Sequence, residues 1–296
     1  MRTIRELGLN LLEVDYRLDA EQITDLKREV AKGEIRVLSV HNPAPLPEGV
    51  SREQASGDVL RLSSLDEAER QAAVQLARGS LALAAELGAG AVVFHLGEVE
   101  FDHQAPRLLD FYRKGLMETP EAKEFLAAKL RERRDRRQPH LEAVLRSLEE
   151  IHREAVRLGI WLAIENRFYY HQIPDLEELD ILFQRFAGGK VGYWHDTGHA
   201  QVFQALGFWE QDRPLARFAE RLLGFHLHDC RGVDDHRAPG DGEIEWEKIR
   251  PYLVANGVRR VLEIHPKVSF KQAKLGIGFL ASLVGEPTPA VAEVGP

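Results

Sequence analysis

The stretch VGYWHDTGH (191–199) decides how the chain is read. VGYWHD is a short run rich in apolar and aromatic residues, the composition of a strand covered on both faces. It ends on Asp196, and His199 follows three residues later, where a helix would begin. A carboxylate at the C-terminal end of a strand, with an imidazole in the next first turn, sits where parallel α/β folds place their chemistry.

The same arrangement recurs outward from that stretch. RVLSVH ends at His41, AVVFH at His95, and WLAIE at Glu165, followed by Asn166 and Arg167. LLGFHLHD carries His226 and His228, the loop GVDDHRAPGDG carries Asp234 and His236, and VLEIH carries Glu263 and His265. Candidate strands therefore cover 11–14, 36–41, 89–95, 161–165, 191–196, 222–228 and 260–264. Amphipathic helical patterns cover 20–32, 64–87, 141–158, 175–186, 245–254 and 269–283. In the second of these, LSSLDEAER offers a Ser cap and GAG a stop. Alternation of strand and helix implies βαβ units and a parallel sheet. The expected fold is α/β, a TIM (βα)8-type barrel. Only seven strands are found where eight close such a barrel. RTIRELG (2–8) reads as the end of a helix feeding the strand at 11–14, so either the first strand is missing at the N-terminus or the barrel is closed differently. An open doubly wound sheet is the alternative, but no GxGxxG or GxxxxGK[ST] follows the early strands.

Composition narrows the function. The chain has 296 residues, 39 Lys+Arg against 47 Asp+Glu, and a net charge of −8, which argues against a broad nucleic-acid-binding surface. One cysteine, Cys230, excludes a disulfide framework or a Cys-rich zinc knuckle and is expected to be a small buried residue. No apolar run approaches the ~20 residues of a membrane span, and MRTIRELGLN has no signal-peptide core, so a cytoplasmic protein is expected. One domain is expected over 1–285, with a helical insertion at about 100–140 and a disordered tail at 286–296, EPTPAVAEVGP. Within the insertion, KLRERRDRR (129–137) reads as a solvated charged helix rather than a phosphate-contacting patch. Trp194, Phe168 and Tyr169 are expected to pack the barrel, and His195 to point outward between strand and helix.

All strand C-termini of a parallel barrel meet at one face, so these scattered acids and imidazoles would converge. Buried carboxylates packed together repel one another unless something positive sits among them. A divalent cation resolves that conflict, and imidazole with carboxylate suits Zn²⁺, Mn²⁺, Fe²⁺ or Co²⁺. Within HLH, residues 226 and 228 point to the same face of a strand, and only one of them need touch a metal.

The ordered series VH, VVFHLG, AIEN, HDTGH, HLHD, DDHRAPGDGEIEW and LEIH resembles the xylose-isomerase-like TIM-barrel superfamily over about residues 8–285. That group joins sugar isomerases and epimerases with the endonuclease IV type of apurinic endonuclease. In the first branch the resemblance implies one divalent ion, often Mn²⁺, on Glu165, Asp196, His226 and Glu263, with His199 near substrate. In the second it implies three zinc ions that also use His41, His95, His199, Asp234 and His236. ENRFYYHQ (165–172) and HNPAPL (41–46) depart from the endonuclease motifs ENTAGQG and H-x-x-Y-L. The leading expectation is a metal-dependent sugar or sugar-phosphate isomerase or epimerase, using one to three ions of zinc or manganese and proton transfer through a metal-stabilised enediolate. Glu165, Glu263 and His199 are the expected catalytic residues, and Arg167 and His228 the substrate-binding ones. A zinc-dependent phosphodiesterase is the alternative, and a non-catalytic sugar-binding barrel the third. Small sugars or sugar phosphates are the expected partners, with nucleic acid kept open as the less favoured one, no membrane, and a homo-oligomer left open.

Overall fold

A computed structural model describes residues 2–287. Its centre is a ring of seven parallel strands in sequence order: β1 (Leu11–Val14), β2 (Arg36–His41), β3 (Ala91–Phe94), β4 (Trp161–Glu165), β5 (Val191–Asp196), β6 (Leu222–Leu227) and, after an antiparallel hairpin of β7 (Asp229–Arg231) and β8 (Asp234–Arg237), β9 (Arg259–Leu262). Each ring strand pairs with the next, from β1 through β6 to β9. Among the described residues no strand joins β9 to β1, so the barrel is nearly closed. Around it lie α1 (Arg2–Glu6), α2 (Ala20–Ala31), α3 (Glu67–Leu87), α4 (Ala105–Arg113), α5 (Pro120–Leu158), α6 (Leu176–Arg185), α7 (Thr197–Ala205), α8 (Arg213–Phe218), α9 (Trp246–Leu253) and α10 (Phe270–Val284). No described helix is long and apolar enough to cross a membrane. The tail expected at 286–296 lies outside the described residues beyond Pro287.

Three differences from the sequence reading have local causes. The strand expected to 228 stops at Leu227 because the chain turns into the β7–β8 hairpin, whose Asp- and Arg-rich sequence has weak strand propensity. Helix α3 begins at Glu67 rather than 64, capped by Asp66, whose side chain accepts from Ala68 N at 2.8 Å; the Ser64 hydroxyl instead donates to Glu69 at 2.7 Å. The insertion opens with the separate helix α4, and its later part, from Pro120, runs without a break into the helix expected at 141–158 as α5, of 39 residues. Its KLRERRDRR segment is largely a web of ion pairs, yet Arg133 is buried, 2.8 Å from both Asp175 and Glu178 at the start of α6. That arginine pins the long helix to the barrel layer.

Alternation along each strand sorts the barrel interior. Ala91, Val93, Ala163 and Trp194 form one buried cluster inside the ring, with Trp161, Leu223 and Val261 packed against it. Trp194 is the plug. Two residues further along, at the C-terminal end, the inward side chains become His95, Glu165, Asp196, His226 and Glu263. His195, one residue out of phase, faces the helix layer, where its Nδ1 lies 2.7 Å from the Tyr193 hydroxyl. Burial pushes that imidazole down to about 3, so it is neutral.

Gly224 shows how tightly the plug fits: a Cβ there would lie 2.4 Å from Trp194 Cζ3. Gly224→Ala should cost about 1–3 kcal/mol through overpacking, read as a lower urea midpoint at unchanged slope; an unaltered midpoint would show that the indole has room to move.

Candidate active site

The rim collects its side chains from all seven ring strands or the residues that directly follow them. Asp196 closes β5 and caps α7, its Oδ1 accepting from His199 N at 2.7 Å. Its Oδ2 accepts from His228 Nε2 at 2.8 Å. The other nitrogen of that ring, Nδ1, accepts from His236 N at 2.8 Å. Both nitrogens of the wholly buried His228 are engaged, which corrects its expected contact with substrate: it orients Asp196. Gly198 permits this, since a Cβ there would lie 2.1 Å from the His228 ring.

Among the described residues three groups of donor atoms stand close enough to hold an ion, each within 4.8 Å of its fellows: Glu165, Asp196, His226 and Glu263; His41, His95 and Glu165; and His199, Asp235 and His236. Glu165 belongs to two of them. Its Oε1 lies 2.8 Å from His226 Nδ1, and its Oε2 lies 2.8 Å from His95 Nε2 and 3.6 Å from His41 Nε2. Glu263 Oε2 is 3.0 Å from His226 Nδ1, and its Oε1 is 3.6 Å from His236 Nε2. His41 and His199 each point Nδ1 at a backbone carbonyl, Asn42 O and Asn166 O, at 3.0 Å. If those nitrogens carry the protons, both Nε2 lone pairs face the rim.

Asp234, expected among the ligands, is instead 76% exposed and paired with Arg237 at 2.9 Å. Its neighbour Asp235 takes the inward position, 2.9 Å from His236 Nδ1. One residue in an extended segment reverses the face, and the hairpin's register was not legible from the sequence. Arg167 lies beside Glu165, with Nη1 3.8 Å from Oε2, and its Nε and Nη1 make no hydrogen bond.

Three further residues at the rim escaped the sequence reading. Glu13 of β1 accepts from Ser39 at 2.6 Å and lies 2.8 Å from His226 Nε2, so the imidazole is held between carboxylates. Asp58 lies 2.8 Å from Arg167 Nη2 and 3.2 Å from His95 Nδ1. Tyr16 meets the His41 ring edge-on at 4.9 Å. Glu13 alone had a signal, an acid at an inward position of an otherwise apolar strand.

Electrostatics tie these groups together. Burial pushes the Glu165 and Glu263 carboxyls up, but the His226 charge and the hydrogen bonds of neighbouring imidazoles outweigh it and leave both well below the usual carboxylate range. Burial likewise opposes a charged His226, yet Glu263, Glu13 and Glu165 hold its pKa well above that of a free imidazole. His236 follows the same logic beside Asp235 and Glu263 and rises to about 11. Asp196 is held at about 2, because His199 and His228 overcome its burial. Burial pushes the Tyr16 hydroxyl up to about 12, so it remains a donor. Buried Cys230, its thiol pushed up by desolvation, is no thiolate.

The chain matches the family described as xylose isomerase-like TIM barrel over residues 1–283. It is 26% identical over 259 residues, 83% of this chain and 71% of the other, to an uncharacterized protein, y4fM, of Sinorhizobium fredii. The structure of a D-tagatose 3-epimerase-like protein superposes with a TM-score of 0.65 at 19% identity, covering 96% of this chain and 92% of that one. The TTHB071 protein from Thermus thermophilus, soaked with zinc chloride, superposes at 0.59 with 23% identity, covering 97% and 93%. At these identities the two structural likenesses are of fold.

Arg167 and Asp58 form a largely buried pair. Asp58→Asn should strand the guanidinium without a counter-charge and cost about 3 kcal/mol, measured by urea unfolding; stability equal to the parent would show that Arg167 finds another carboxylate, Glu165 being the nearest.

Proposed function

The chain belongs to the xylose isomerase-like TIM-barrel family, and from that premise we propose that it is a divalent-metal-dependent sugar or sugar-phosphate isomerase or epimerase. The observation that carries this reading is the four-residue group of Glu165, Asp196, His226 and Glu263, whose donor atoms lie within 4.8 Å of one another. Three acids and one imidazole crowded there, the first three residues buried, leave negative charge that wants a cation. The donor set of three oxygens and one nitrogen suits Mn²⁺, Zn²⁺ or Co²⁺. The second nitrogen of His226 is held by Glu13, the support that metal-ligating imidazoles ordinarily have. An ion there would supply Lewis-acid polarisation of a substrate carbonyl, which makes the neighbouring C–H more acidic.

The chain's own residues would do the rest. Glu165 and Glu263 have depressed pKa values, so each is ionised at neutral pH and would act as a weak base held close to the carbon. Glu263 is the more open, at 26% side-chain exposure against 1% for Glu165. One would take the proton from the carbon and the other return it; the face of return separates isomerisation from epimerisation. Arg167 would offer its unpaired Nε and Nη1 donors to substrate oxygens, and His199 Nε2 would orient a hydroxyl. Glu165→Gln and Glu263→Gln should each lower kcat by about 10²–10⁴-fold on a carbonyl-sugar panel. Variants that turn over as fast as the parent would remove both residues from the mechanism.

Metal uptake should release protons. With His226 and His236 both held above neutral pKa in the metal-free site, an ion must displace a proton from each imidazole it binds. Affinity for Zn²⁺ should therefore rise with pH between about 6 and 8, read by calorimetry in two buffers of different ionisation enthalpy; binding with no proton release would contradict it.

The two further donor groups, around His41 and His95 and around His199, Asp235 and His236, support a second reading. That reading is a zinc-dependent phosphodiesterase resembling endonuclease IV, in which these groups would hold further zinc ions whose chemistry would be to activate a water and neutralise charge on a phosphate. Metal content by mass spectrometry separates the two. The leading reading expects one tightly held ion per chain; three zinc ions together with cleavage of an abasic duplex would establish the other.

A further inference from the structure

On the outer side of β5, away from the rim, a run of buried polar side chains leads to a histidine nitrogen that has no partner. Tyr193 and His195 alternate with Trp194 and Asp196, so both point away from the barrel interior. Asn166, the residue after Glu165, meets them there. All three are buried. The Tyr193 ring packs on Phe218 at the end of α8, with centroids 5.7 Å apart, and the His195 ring packs edge-on against Phe225 of β6 at 5.5 Å.

Hydrogen bonds orient each of these groups in turn. The Asn166 side-chain oxygen accepts from Asp196 N at 2.7 Å, and its amide nitrogen donates to Asp196 O at 3.0 Å. Turning that amide over would set donor against donor and acceptor against acceptor, so its orientation is fixed. The Tyr193 hydroxyl lies 3.0 Å from the same Asn166 oxygen and therefore donates to it. A hydroxyl has one proton to give, so His195 Nδ1, 2.7 Å from the Tyr193 oxygen, is the donor in that contact. Nε2 of the same ring is then an acceptor, buried and without a hydrogen-bond partner among the described residues. Native structures keep few such groups, because an unpaired buried acceptor is costly. Here the cost goes with keeping the imidazole proton on the side that faces Tyr193.

The far end of this run is the candidate ligand set. Asn166 grips Asp196 at both of its backbone polar groups, and its own carbonyl lies 3.0 Å from His199 Nδ1. We propose that His195, Tyr193 and Asn166 form a positioning brace that sets the Asp196 carboxylate and the His199 ring for a cation, from outside the barrel and without touching the ion or the substrate. The inference rests on the metal-binding reading above. Its consequence is a ligand geometry that exists before the ion arrives, so that binding does not have to organise it. His195 acts only through Tyr193: its Nδ1–H occupies the phenol oxygen and directs the hydroxyl proton to Asn166.

Titration of the metal-free full chain with Co²⁺, followed by its visible absorption, tests the brace in the parent and in Tyr193→Phe, His195→Phe and His195→Asn. Affinity should fall about 10–100-fold in the two Phe variants, with a shifted cobalt band, and stay within about twofold of the parent in His195→Asn, whose side-chain amide can donate in place of Nδ1–H. A merely structural role would lower the urea midpoint of the Phe variants but leave the affinity and band of the folded protein at the parent's values, and that result overturns the proposal. So does a loss in His195→Asn equal to that in His195→Phe. If Tyr193→Phe does not fold, the two His195 variants decide by the same comparison. A parent that binds no Co²⁺ removes the metal-binding reading and the brace with it; a parent that binds as tightly as both Phe variants removes the brace alone.

Discussion

The rim is governed by the cost of bringing acids together out of water. Glu13, Glu165, Asp196 and Glu263 converge within reach of His226; among the described residues no lysine pairs with them, and Arg167 stands 3.8 Å from Glu165. In the metal-free protein the compensation is protonic, since the imidazoles of His226 and His236 hold their protons against burial. A divalent ion would supply the same compensation with more charge in less space. The barrel sets this tension up: it places successive inward residues on a common level, above the buried apolar cluster of Trp194, Val93, Ala91 and Ala163.

Around that centre the structure adds a second layer of orienting contacts. His228 fixes Asp196, Glu13 fixes His226, Asp58 fixes Arg167, and the Asn42 and Asn166 carbonyls receive the Nδ1 edges of His41 and His199. Each lets a functional atom face the rim in one orientation, and side chains held in this way lose little further freedom when a ligand binds.

Much of this was legible in the sequence. The seven ring strands lie within two residues of the expected positions because fully buried parallel strands are short apolar runs, and the rim residues announced themselves as polar endings on those runs. What stayed hidden depended on parity or on tertiary contact. Asp235 rather than Asp234 faces His236 because a hairpin with no apolar alternation sets its own register. Asp58 sits in a loop with nothing local to mark it, and its partner Arg167 is 109 residues away. His228 read as a substrate contact because the backbone amide that occupies its Nδ1 belongs to the unforeseen hairpin. Arg133, within an apparently solvated run, is buried only because α6 offers two carboxylates to it.

The central claim is that the four strand-end residues share one cation. Anomalous diffraction from crystals grown with Mn²⁺ tests it most directly. The account predicts a strong peak at the manganese edge about 2.0–2.3 Å from donor atoms of Glu165, Asp196, His226 and Glu263 together. A fully loaded crystal with its anomalous density elsewhere, and those four side chains still bonded only to one another, would contradict it.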